Sequence, residues 1–258
     1  MLRSRIIPCL LVHNRGLVKT VNFGNPKYVG DPINAVRIFN EKEVDELIVL
    51  DIDATAEGRE PDYGMIAHLA AECRMPLCYG GGIKCLDQAV GIVKLGVEKV
   101  AVSSLALEDP ALVATISEYL GRQSVVVVLD VRRSVSSGSP EVWSHNGTRN
   151  TMRHPAEVAR ELQAVGVGEV TVNSIDRDGT MKGYDIDLLR EVRASVSVPM
   201  TALGGAGSLA DIQALIAEFG IVGVAAGSLF VFKGPYRAVL INYPDRRLKA
   251  TLTGTGAS

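Results

Sequence analysis

Two pairs of short, small-residue turns have the composition of anion sites. Gly81-Gly82 is followed further on by Ser103-Ser104, and Gly204-Gly205 is followed by Gly227-Ser228. Sliding residues 78–105 onto 202–231 with Gly80 on Gly204 puts Gly81 on Gly205, Asp87 on Asp211, Gly96 on Gly220 and Ser104 on Ser228. A glycine turn between a strand and a helix lets backbone N–H groups converge on an anion without Cβ obstruction. The second turn of each pair adds more N–H groups and a hydroxyl. One Gly-Gly alone reads equally well as a tight strand-to-helix turn. The two-part pattern, repeated, reads as two phosphate cups half a chain apart.

Those turns need strands and helices to hold them. Candidate strands are 5–12, 47–52, 76–78, 99–102, 124–129, 169–173, 199–202 and 222–225. Candidate helices follow each at 32–40, 63–71, 86–95, 110–120, 155–165, 186–194, 209–219 and 236–241. The strand runs are dense in Val, Ile and Leu without alternation, as parallel strands buried on both faces require. Asp31-Pro32, Asp109-Pro110 and Ser208 supply helix caps. Eight strand–helix units predict an α/β chain folded as one (β/α)8 TIM barrel over 1–258, built from two pseudo-repeated halves. A doubly wound sheet is the alternative, and the half-length repeat favours the barrel. The Gly/Ser/Thr-rich end, 251–258, is expected to fray.

In such a barrel, chemistry sits on the loops after the strands. The first is the long polar stretch His13–Asp31, carrying Lys19, Asn22 and Lys27; Asp51-Ile52-Asp53 follows the second strand. Asp130, Arg132 and Arg133 follow the fifth, and Ser174–Thr180, with Asp176 and Gly179, follows the sixth. Lys19, Asp51, Asp176 and Gly179 are candidate substrate contacts. Asn146-Gly147 reads as a hairpin turn.

Composition narrows the function classes. A net charge of −2 without a basic stripe disfavours nucleic acid. No apolar run reaches membrane length, and the start MLRSRIIPCLLV is a poor signal peptide. Cys9, Cys73, Cys78 and Cys85 lack C-x-x-C spacing and read as small hydrophobes of a reducing, cytoplasmic setting. His13, His68, His145 and His154 offer no metal-ligand spacing. No G-x-G-x-x-G follows the first strand, so no cofactor is expected.

The motifs RIIPCL (5–10), VKTVNF (18–23), YGGGI (79–83), SIDRDGT (174–180), GYD (183–185) and GGAG (204–207) together are specific. Over nearly its whole length the chain resembles the cyclase subunit of imidazole glycerol phosphate synthase. The resemblance implies a barrel that takes ammonia from a separate glutaminase subunit in a heterodimer. It also implies use of that ammonia to cleave and cyclise a ribonucleotide with a phosphate at each end. The family's two catalytic aspartates end the first and fifth strands. The second matches Asp130, which could move a proton as general acid or base, or else cap a loop or pair with Arg132 or Arg133. The first should stand where this chain has Leu11, and leucine carries no proton. By position, Arg5, Glu46, Lys99 and Glu169 match the family's charged ring, the expected ammonia gate; a structural ion-pair plug is the other reading. Glu98 is a candidate for the docking surface.

The leucine-bearing start, and residues 28–47, look like a paralogous subgroup associated with turning an acetamido group of a lipopolysaccharide sugar into an acetamidino group. There a glutaminase and a cyclase-like barrel serve a third, amidotransferase protein. Two other functions stay open: a conventional cyclase-lyase of histidine biosynthesis, and a non-catalytic scaffold that activates the glutaminase.

Overall fold

Eight buried runs pair in parallel and close on themselves, and everything else in the chain hangs from that ring. The computed structural model describes residues 3–254. In chain order the elements begin β1 (Arg5–His13), β2 (Gly16–Val21), β3 (Gly24–Gly30), α1 (Pro32–Glu41), β4 (Leu47–Asp51) and α2 (Tyr63–Glu72). Then come β5 (Leu77–Gly80), α3 (Leu86–Lys94), β6 (Lys99–Val102), α4 (Ser104–Glu108), α5 (Pro110–Leu120) and β7 (Val125–Arg133). These lead to β8 (Pro140–Ser144), β9 (Arg149–Asn150), α6 (Pro155–Ala164), β10 (Glu169–Ser174), α7 (Ile186–Ser195) and β11 (Met200–Leu203). The chain ends α8 (Leu209–Phe219), β12 (Gly223–Ala226), α9 (Ser228–Val231), β13 (Phe232–Lys233), β14 (Ala238–Val239) and α10 (Arg246–Leu252). The barrel order is β1-β4-β5-β6-β7-β10-β11-β12, with β12 returning to β1, every pairing parallel. This is the (β/α)8 barrel the sequence predicts.

Two cores result. The larger lies between strands and helices and includes Phe39, Leu69, Tyr79, Ile92 and Ile116. The smaller fills the barrel with Ile7, Cys9, Ile48, Cys78, Ala101, Val126, Val128, Leu203 and Ala225, with Leu11 and Leu50 packed on it. Helix starts are capped as expected: Asp31 accepts from Asn34 N–H, Asp109 from Leu112 N–H, and Ser208 forms a reciprocal box with Asp211.

Several expectations need correction. The stretch His13–Asp31 is no open loop: most of it is the antiparallel hairpin β2–β3, paired to β1. Asn22 and Phe23 both take positive φ at its turn, the backbone of a tight two-residue hairpin. After β7 the chain likewise doubles back as β8–β9, with Asn146 and Gly147 at positive φ in the connecting turn. Residues 236–241 form no helix; Ala238–Val239 is a strand paired to β13. The last helix is α10, capped by Asp245 onto Leu248 N–H. Thr251 and Leu252 belong to it and Leu252 is buried, so the expected frayed tail does not begin at 251; residues 255–258 lie outside those described. Of the cysteines, Cys9 and Cys78 are buried but Cys85 is exposed. Among the described residues no helix is long and apolar enough to cross a membrane, and no cluster of metal-ligating side chains occurs.

Candidate functional site

A cavity of about 780 Å³ opens at the strand C-termini. Its floor is made by Cys9, Ala101, Val128 and Leu203 of the inner core. Its walls carry the predicted Lys19, Asp51, Gly81, Gly82, Ser103, Ser104, Asp130, Gly227 and Ser228, together with Leu11. Four predicted contacts, Asp176, Gly179, Gly204 and Gly205, are not in its lining. Asp176 is exposed and accepts the backbone N–H of Arg133 at 2.8 Å. Gly179 is packed under the hairpin: a Cβ there would stand 1.9 Å from the carbonyl oxygen of Thr20.

The two cups differ. In the first, Gly81 has φ +124° and lies against Asp51, whose carbonyl oxygen would be 2.4 Å from an added Cβ. Gly82 N–H is already given to Thr55 Oγ1 at 3.2 Å. Ser103 Oγ is buried without a hydrogen-bond partner among the described residues, and Ser104 Oγ accepts from His145 N–H at 3.0 Å. In the second, Gly204 and Gly205 pack against Ser174 and Gly183, with carbonyl oxygens 2.7 and 2.2 Å from an added Cβ. Only Gly227-Ser228 of that cup faces the cavity. Lys19 reaches the same spot. It is buried, donates to Cys9 O at 2.6 Å, and its Nζ would lie 2.5 Å from a Cβ on Gly227. Burial lowers its pKa.

Asp51 is taken up by its own loop, accepting from Asp53 and Ala54 N–H at 3.0 Å each. Burial raises its pKa against those bonds. Asp130 is freer. Its Oδ1 accepts from Asn173 Nδ2 at 2.9 Å. Neither nearby arginine pairs with it: Arg132 stacks over Trp143 at 4.8 Å, and Arg133 reaches Asp185 at 3.2 Å. Burial pushes the Asp130 carboxyl up to about 7, against the Asn173 bond, and negative Asp178 pushes the same way. A carboxyl poised there at neutral pH can give or take a proton.

At the opposite, N-terminal end of the strands, Arg5, Glu46, Lys99 and Glu169 close a ring. Lys99 Nζ donates to Glu46 at 2.8 Å and to Glu169 at 3.0 Å. Arg5 donates to Glu169 at 2.8 Å and also pairs with Glu46. Each base therefore touches both acids. For Lys99, burial works to lower the pKa, but Glu169 and Glu46 outweigh it and hold the ammonium form. For Glu169, burial works upward and is outweighed by Arg5 and Lys99, so the carboxylate is held below its usual range. Glu98, by contrast, spends a carboxylate oxygen on Leu77 N–H at 2.7 Å.

The family described as histidine biosynthesis protein matches residues 5–236. The chain belongs to that family. It is 57% identical over 252 residues to a provisionally named imidazole glycerol phosphate synthase subunit HisF of Leptospira borgpetersenii, covering 98% of this chain and 99% of the relative. It is 56% identical to a provisionally named subunit hisF2 of Pseudomonas aeruginosa, covering 95% and 97%. To the imidazole glycerol phosphate synthase subunit HisF of Hyphomonas neptunium it is 42% identical, covering 90% and 91%.

Within a cyclase-type barrel of this family, the place of Leu11 is telling. In β1–β4 the register pairs Cys9 with Ile48 and Leu11 with Leu50. In β7–β10 it pairs Val128 with Thr171 and Asp130 with Asn173. Leu11 is thus the half-barrel counterpart of Asp130, and both line the cavity. Sequence reasoning passed over Asp178, which lines the cavity and accepts from Thr20 Oγ1 at 2.9 Å. It also passed over Asn173, His145 and Arg149 on the cavity wall. Asn173 could have been found from strand alternation, because it stands four residues after Glu169 on one face of β10.

Proposed function

We propose that this barrel passes ammonia from a glutaminase bound over the Arg5–Glu46–Lys99–Glu169 ring to chemistry at the cavity end, and that it does not cyclise the family's bisphosphate nucleotide. The observation that carries the reading is Leu11. A closed charged ring is retained at one end of the barrel while the carboxylate expected opposite Asp130 is replaced by a hydrocarbon at the other. One proton-transfer group is worth roughly 10²–10⁴ in rate. Free ammonia is mostly protonated at neutral pH, and ammonium is a poor nucleophile. An apolar interior of Ile7, Cys9, Ile48 and Ala101 favours the neutral form. As acceptor we assign an acetamido sugar of a surface polysaccharide, converted to the acetamidino form on a third, amidotransferase protein as the ammonia nitrogen replaces the amide oxygen, which leaves as water. The leucine-bearing start supports that choice.

The test reconstitutes the chain with the glutaminase of the same organism, glutamine and the bisphosphate nucleotide. A stable complex that releases glutamate, with cyclisation roughly 10²–10⁴ below an intact family member, is the expected result. Cyclisation near the intact rate would make this a conventional cyclase-lyase and overturn the reading. Absence of a complex with any glutaminase of that organism would overturn the delivery half. A complex whose glutamate release is stimulated, but which aminates no acetamido sugar in the presence of the third protein, would leave only the scaffold.

A further inference from the structure

Between the ring and the cavity the interior of the barrel is largely apolar, and its polar side chains lie on β10 and, at Thr201, on neighbouring β11. Residues two apart on a strand share a face, so Glu169, Thr171 and Asn173 of β10 form one inward column from the ring to the cavity. The ends of that column are committed. Glu169 accepts from Arg5, Lys99 and Thr201, and Asn173 Nδ2 is given to Asp130. The middle is not. Thr171 Oγ1 and Asn173 Oδ1, the latter against Gly204, are buried with no hydrogen-bond partner among the described residues, in residues only 1% and 5% exposed. Leaving such groups unsatisfied is costly and rare in folded proteins.

Thr201 of β11, in register with Thr171, gives its hydroxyl to Glu169, so the fold does not ask for a second hydroxyl at that depth. The register counterpart of Thr171 in the other half of the barrel is Ile48, packed in the inner core. We infer that Thr171 and Asn173 make an internal site for one small neutral hydrogen-bond donor, of the class of water and ammonia, between the ring and the cavity. For ammonia the inference rests on the delivery reading above. Same-face positions on a strand are about 6.6 Å apart. Two hydrogen bonds end to end span about 5.8 Å, so one molecule bridges the step. Asn173 Oδ1 can only accept and Thr171 Oγ1 can accept, so the visitor must donate. A cation is disfavoured: the interior there is apolar, and Arg5 and Lys99 stand at its foot.

The test is a crystal structure of the full chain at high resolution, wild type and Thr171→Val, the latter nearly isosteric. One ordered molecule within hydrogen-bond distance of Thr171 Oγ1 is expected in the wild type and none in the variant, whose Tm falls by a few degrees. No such molecule in the wild type overturns the inference whether or not the variant folds. So does a variant that folds with a raised Tm, since that is the mark of a hydroxyl buried unsatisfied. A methylamine soak at high pH separates the two sources. Elongated density at Thr171 shows that an amine is accepted; an unchanged round peak leaves a water and overturns ammonia passage by this step. Should the amine bind while no glutaminase docks, the delivery reading fails and the site stands.

Discussion

The two halves of the barrel share a frame and diverge at the same depth. Glu46 and Glu169 occupy corresponding places in the ring, just before β4 and at the start of β10, and each meets both Arg5 and Lys99. Two layers up, Ile48 in one half faces Thr171 in the other. At the cavity, the Leu11–Leu50 pair faces the Asp130–Asn173 pair. On β4 the first half is thus hydrocarbon from its core to the cavity, where β10 of the second carries Thr171 and Asn173; the first half keeps one uncommitted hydroxyl, Ser103, after β6. The difference teaches that the ring and the cavity respond to separate demands. The ring needs both halves, because its charges neutralise one another across the pseudo-twofold. At that strand position the cavity carries a carboxyl in one half only, Asp130 against Leu11.

The ring gives the largest test of that symmetry. Glu46→Gln or Glu169→Gln leaves two buried or half-buried bases facing one acid. Removing one partner from a buried pair typically costs about 3–5 kcal/mol. We expect losses of that order from both in denaturant unfolding, somewhat larger for Glu169, which also accepts from Thr201. A loss confined to one of the two would break the equivalence.

The paired glycines give a smaller test. Gly81→Ala and Gly205→Ala each drive a Cβ into a carbonyl oxygen, at 2.4 and 2.2 Å, at positive φ. Each should lower stability by about 1–3 kcal/mol. Only Gly81 lines the cavity, so only Gly81→Ala should also weaken binding of inorganic phosphate, read by calorimetry. Equal weakening by both would return the second glycine pair to the role of a phosphate cup.

Much of this was legible in the sequence, for identifiable reasons. The barrel follows from unalternating Val/Ile runs, each with a capped helix behind it, because strands buried on both faces leave that mark. The hairpin β2–β3 was missed because β3 is exposed and carries Asn25, Lys27 and Tyr28 rather than a buried apolar run; the signal was the Asn22-Phe23-Gly24 turn. The last helix was misplaced because Tyr236 is apolar in type yet almost fully exposed, while Asp245 held the cap. Within SIDRDGT, the sequence reading chose Asp176, and the cavity is lined by Asp178 instead. The choice is made by a turn in which Asn22 N–H bonds Asp178 O at 3.0 Å and brings that aspartate under the hairpin. Thr171 was passed over because a threonine amid Val and Glu reads simply as strand.

The subtlest expected effect concerns Asp130 alone, since its counterpart Leu11 cannot titrate. Burial raises the folded-state carboxyl to about 7, while an unfolded aspartate titrates near 3.9. Between those values the folded protein holds a proton that the unfolded chain has released. Stability therefore falls as pH rises through that window, and the contribution present below about pH 4 is gone above about pH 7. Asp130→Asn carries no proton and keeps a polar group for Asn173. Its stability should change less across the same window, so that the variant gains on the wild type as pH rises. The measurement is denaturant unfolding of both proteins from pH 4 to 8, with Leu11→Asp as a third. A second carboxylate in the same cavity should raise the Asp130 titration further and steepen the wild-type trend. Parallel curves for wild type and Asp130→Asn would mean that the carboxyl is as well solvated folded as unfolded, and the cavity end of the second half would lose its claim to a poised proton.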